Sequence, residues 1–80
     1  MAKKLFIVEL MGEDPMTRAG IQPVRASRFE EDKDYLYFFD SDGSVAALFH
    51  HSAVRSWRES SEEELERLGR EIDARESSKS

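Results

Sequence analysis

Eighty residues with no cysteine and a formal net charge of −5 limit what this chain can be. It can build one small domain, burying roughly 60–65% of the surface that its unfolded form exposes, without a disulfide framework or a thiolate metal site to support it. Eight basic groups face ten acidic ones over residues 1–59, and four face seven over residues 60–80. That leaves no cationic surplus for nucleic-acid backbones, and no apolar run approaches the ~20 residues that span a bilayer.

The chain opens basic and then apolar, as a secretory leader does. However, Glu9 interrupts the run, and Gly12-Glu13-Asp14 follows with no small-residue cleavage site. Lys4 to Met11 is therefore predicted as a first β-strand, with Leu5 and Ile7 on one side and Phe6, Val8 and Leu10 on the other. Together with the absence of cysteine, this points to a cytoplasmic protein. Gly12 to Gly20 is polar, contains Pro15 and reads as a long mobile loop. Ile21 to Glu30 alternates imperfectly and is predicted as a second strand, with Pro23 marking a sheet edge or a bulge. Glu30 to Asp34 is a charged, solvent-facing turn.

Tyr35 to Phe49 carries the strongest local signal. Two apolar runs flank Asp40-Ser41-Asp42-Gly43, whose glycine takes positive φ at little steric cost, so the segment predicts a β-hairpin. Along its first strand Tyr35, Tyr37 and Phe39 point one way and Leu36 and Phe38 the other. Both faces therefore need cover, which a lone hairpin cannot supply. His50 to Ala53 is too short and polar for more than a helical turn. Val54 to Arg58 is a last short strand, with Val54 and Ser56 expected opposite Arg55 and Trp57.

The period then changes. Ser61 and Glu64 form a capping box, and three acidic residues occupy the first turn, where the helix dipole is positive. A helix is predicted from Glu62 to about Arg75. Its apolar stripe is Leu65, Leu68 and Ile72, and Gly69 weakens its intrinsic helicity. A stripe so short must dock on the sheet or on another helix.

The candidate chemistry is sparse. Asp40-x-Asp42-Gly43 is half of a calcium loop, but Ser44 to Phe49 supplies no further ligand. Adjacent His50 and His51 would point to opposite faces of a strand, which does not suit a shared metal. Ser52 beside His51 is adjacency without triad geometry. No catalytic residue, cofactor or metal site is expected. Arg25, Arg28, Arg55 and Arg58 would make one basic face beside Trp57 or Tyr37 if the second and last strands lay close together. That is a chemistry suited to single-stranded nucleic acid.

The succession of strands with a charged turn, an Asp-rich hairpin, a single helical turn and a terminal Val54-x-x-Trp57 resembles small bacterial SH3-like barrel proteins of unknown function. The resemblance spans residues 4–58. It implies a fold and transfers no active site.

The expected fold is α+β. Residues 1–59 form a mostly antiparallel meander of four or five strands that closes toward an SH3-like barrel. An amphipathic helix follows over 60–75, then a disordered tail over 76–80. The expected function is a non-enzymatic protein-interaction module, homo-oligomeric, without a membrane partner. Its surface is either the aromatic one of Tyr35, Tyr37, Phe39 and Trp57 or the helical stripe of Leu65, Leu68 and Ile72. The alternative is a nucleic-acid-binding or regulatory barrel that uses the four arginines.

Overall fold

The computed structural model describes residues 3–77. The order of elements is β1 (Lys4–Leu10), a 3-10 turn (Arg18–Gly20), β2 (Ile21–Ala26), β3 (Arg28–Glu31), β4 (Tyr35–Phe39), β5 (Val45–His50), a second 3-10 turn (His51–Ala53), β6 (Val54–Ser60) and α1 (Glu62–Ser77). The strands form two antiparallel three-stranded sheets, ordered β2-β1-β6 and β3-β4-β5. Class and order agree with the sequence. Among the described residues there are six strands, however, rather than four or five.

The extra strand arises at Ser27. The segment expected to run unbroken from Ile21 to Glu30 divides there, β2 staying in the first sheet and β3 entering the second. Val24 and Ala26 face the core, and the next ring on that side is Phe29, one residue out of phase and 44% exposed at the rim. The Ser27 amide crosses the corner to donate to the Phe39 carbonyl at 2.8 Å.

Between the sheets lie Phe6 and Val8 of β1, Val24 and Ala26 of β2, Leu36 and Phe38 of β4, and Val54 of β6. Leu10, Ala47, Phe49 and Trp57 close the rim of this core. β1 and β4 are the middle strands of their sheets, and their inward residues Val8, Leu36 and Phe38 are all 0% exposed. A second correction concerns β6. Leu10 pairs with Val54 while Glu9 pairs with Ser56, so Arg55 is an extra residue in the ladder. That bulge turns Val54 and Trp57 toward the same core, where strict alternation would set them on opposite faces.

The turns follow their residues. Gly43 has φ +86° at the hairpin tip, and the Asp40 amide donates to the Ser44 carbonyl at 2.9 Å to close it. The 12–20 segment is a built turn. Asp14 accepts from the Met16 amide through its side chain, and from the Thr17 amide and hydroxyl through its carbonyl. Arg18 and Asp14 form ion pairs with Asp73 and Arg75 of the helix. Ser61 Oγ caps α1 by accepting from the Glu64 amide at 3.1 Å. The helix also continues past Arg75 to Ser77; residues 78–80 of the expected tail lie outside the described residues.

Candidate interaction surface

The helix settles on only one of the two sheets. Directly opposed residues of an antiparallel pair share a face. The registers therefore put Leu5 with Arg25 and Ser60, and Ile7 with Pro23 and Arg58, on the outer side of the first sheet. α1 is tied to that side by Arg25–Glu62 at 2.7 Å, Arg58–Glu64 at 3.3 Å and the Arg18–Asp73 pair. Beneath it Leu5, Ile7 and Ile72 are buried. Leu65, Gly69 and Ile72 line a shallow apolar groove with Ile21 and Pro23. Two of the three stripe residues are thus spent within the chain. Leu68, half-buried, borders Arg58, Glu64, Arg67 and Glu71 instead.

The second sheet has a different outer face. Tyr35, Tyr37 and Phe39 form a ladder along β4 with successive ring centroids 5.9 Å apart, and the Tyr37 and Phe39 rings lie only 16° from parallel. His50 lies 4.8 Å from the Tyr35 ring, and Leu48 is directly opposite Tyr37. At the other end the Arg28 guanidinium sits 4.3 Å above the Phe39 ring while also pairing with Glu30. Val45 and Leu48 are 54% and 52% exposed. Sequence reasoning missed Val45, Leu48 and His50. The signal was present, since a strand paired to β4 must place alternate residues beside Tyr35 and Tyr37.

The polar groups around this face are fixed by local bonds. Desolvation, followed by the charge of nearby Asp32, raises the Tyr37 phenol above its ordinary value. The Asp32 carboxylate is held low by the amides of Tyr35 and Asp34, which donate to it at 2.7 and 2.8 Å. Asp42 is held low by the hydroxyl and amide of Ser44.

Trp57 does not belong to this surface. Its ring packs against Phe29 at 5.9 Å and His51 at 6.2 Å, on the rim of the core. His51 also pairs with Glu31, so the two histidines do part to opposite sides. The four arginines are not brought together. Arg25 and Arg58 lie on opposite edge strands of the first sheet and are engaged by glutamates of α1, Arg58 also by Glu9. Arg55 donates to the Glu13 carbonyl at 3.3 Å, and Arg28 lies on the second sheet.

Among the described residues, no three His, Cys, Asp or Glu side chains cluster as metal ligands, and no helix is long and apolar enough to cross a membrane. No protein-family model, curated protein or solved structure matches the chain.

Proposed function

We propose that the protein is a non-enzymatic interaction module that self-associates through the outer face of its second sheet. The observation that carries this is the ladder of Tyr35, Tyr37 and Phe39. It is flanked by half-exposed Val45 and Leu48, while α1 is committed to the opposite layer. An exposed apolar patch of this kind marks an interface, and tyrosines suit it because each ring carries a polar tip that tolerates water before assembly. The helical stripe is the weaker candidate, because Leu65 and Ile72 are already used in cis. A nucleic-acid partner is disfavoured by the same structure. Arg25 and Arg58 are neutralised by glutamates, and the ladder is bordered by Glu30, Asp32 and Asp34. The split second strand and the single helical turn before β6 support the SH3-like reading of the fold, and a cysteine-free chain suits the cytoplasm.

Sedimentation velocity over a wide concentration range tests the proposal. Wild type is expected to be a dimer or larger. Tyr37→Lys, which puts a charge at the middle of the ladder, is expected to weaken association by at least about tenfold, and Leu68→Glu to leave it unchanged. A wild-type chain that stays monomeric throughout refutes the reading.

A further inference from the structure

Four strands lie at sheet edges: β2, β6, β3 and β5. An edge strand exposes unpaired amides and carbonyls that template pairing with another chain, and proteins blunt such edges with charge, proline, shortness or bulges. Three of the four are blunted. β2 carries Pro23 and Arg25, β6 carries Arg55, Arg58 and Glu59 with a bulge, and β3 is four residues long with Arg28, Glu30 and Glu31. β5 reads Val45-Ala46-Ala47-Leu48-Phe49-His50, with no Asp, Glu, Lys, Arg or Pro. Its one irregularity is the register shift beside Val45.

The hydrogen bonds show which of its groups are free. The His51 amide donates to the Asp34 carbonyl at 2.8 Å, and antiparallel ladders alternate bonded and non-bonded pairs. Phe49–Leu36 and Ala47–Phe38 are therefore the bonded pairs, and the amides and carbonyls of Leu48 and His50 point away from β4, to the side on which no strand is hydrogen-bonded to β5 although β2 passes near it. The core also thins here. Ala47 and Phe49 face inward yet remain partly exposed, unlike Leu36 and Phe38 on the neighbouring strand.

We infer that the β5 edge pairs antiparallel with β5 of a second copy, about a two-fold axis perpendicular to the sheet. The two second sheets then become one six-stranded sheet with both aromatic ladders on the same side. This rests on the self-association proposed above but places the contact at the β5 edge beside the ladder, and the test below separates it from association through the face itself. A second copy is the fitting occupant for two reasons. Each chain carries −5, and two copies meet at β5 with no carboxylate opposed to a carboxylate; β2 also lacks Asp and Glu but carries Pro23 and Arg25. The pairing also continues the proposed interface, because Leu48 belongs both to the edge and to the row beside Tyr37. Isologous two-fold contacts are the commonest way in which identical chains close.

The test compares wild type, Leu48→Pro, Leu48→Lys and Tyr37→Lys by sedimentation, with amide exchange followed at Leu48 and His50. Leu48→Pro removes an outward amide that no internal bond uses, which an edge strand tolerates. Circular dichroism checks the fold of each variant; should the proline variant not fold, the concentration dependence of Leu48 and His50 amide exchange decides, because Leu48→Lys also charges the row beside Tyr37. The expected result is a wild-type dimer whose Leu48 and His50 amides exchange more slowly as concentration rises, and monomers for both Leu48 variants. A dimer indifferent to Leu48→Pro and Leu48→Lys but dispersed by Tyr37→Lys overturns edge pairing and keeps face-to-face association. A monomeric wild type overturns both.

Discussion

The two middle strands, β1 and β4, present the same problem and meet it differently. Each is apolar on both sides. β1 turns Phe6 and Val8 to the core and Leu5 and Ile7 outward; β4 turns Leu36 and Phe38 to the core and Tyr35, Tyr37 and Phe39 outward. The outer face of β1 is covered by α1, and its residues are aliphatic and buried. The outer face of β4 has partly buried rings, two of them phenols, beside half-exposed Val45 and Leu48. Where the chain supplies its own cover it uses side chains that never need water. Where it leaves a face open it uses side chains that tolerate water until something else arrives.

The largest expected effect breaks this comparison directly. Ile72 is 1% exposed beneath the helix, so Ile72→Ala should cost about 2–5 kcal/mol, a large share of the stability of so small a domain. Tyr37→Ala, read on dilute monomer, should cost well under half as much, because its face already meets solvent. Urea denaturation of both variants checks the difference. Equal losses would mean that the two outer faces are covered alike, and the contrast between the sheets would disappear.

Much of this architecture was legible in the chain, and what was not has identifiable causes. The hairpin could be read because Gly43 sits between two alternating runs. The helix could be read because Ser61 and Glu64 announce its first turn. The break at Ser27 was also written there, as a slip from Val24 and Ala26 to Phe29 instead of Arg28, but Pro23 already offered a local reason for imperfect alternation. The β6 bulge left less trace, since Val54 and Trp57 share a face only because Arg55 is unpaired against β1. The choice between the sheets lay beyond any local pattern. The stripe of Leu65 and Ile72 suits either two-faced strand. What accompanies the choice is a set of long-range pairs, Arg25 with Glu62 and Arg18 with Asp73, between groups far apart in sequence.

A smaller effect sharpens the comparison by loosening the cover alone. Gly20 ends the turn that presents Arg18 and Asp14 to the last turns of α1. A Cβ at this position would lie 1.8 Å from the Asp14 carbonyl oxygen, a backbone atom that cannot swing aside. Gly20→Ala should therefore displace the 14–20 turn at a cost of about 1–3 kcal/mol. Amide exchange should quicken in α1 and in residues 14–20, while the β4–β5 hairpin keeps its protection. Uniform loosening across both sheets would show that the turn supports the whole core rather than the clamp on the helix.

The smallest effect is electrostatic; its sign is the same in both layers, and the partner that causes it separates them. On the covered side Glu62 is held below the ordinary carboxylate range by the Arg25 guanidinium, and Glu64 by the Ser60 hydroxyl and then by Arg58. On the open side Asp32 and Asp42 are lowered by bonds inside their own turns. All four are depressed in the folded chain relative to unfolded values near ~4. Their stabilisation is therefore fully present above that range and is lost as pH falls through the lower folded values. Arg25→Gln should leave Glu62 to titrate much as it does unfolded, giving slightly lower stability at neutral pH and a shallower decline in acid. Ser44→Ala should do the same through Asp42 without touching the helix. The groups are solvent-exposed, so each change is small and is best read as a shift in urea midpoint across a pH series. Helix-specific exchange at Glu62 to Leu65 should respond to the first substitution and not to the second. An acid limb identical to wild type in Arg25→Gln would mean that the bidentate pair contributes nothing to the docking of α1, leaving burial of Ile72 and Leu65 as the whole of the helix's attachment.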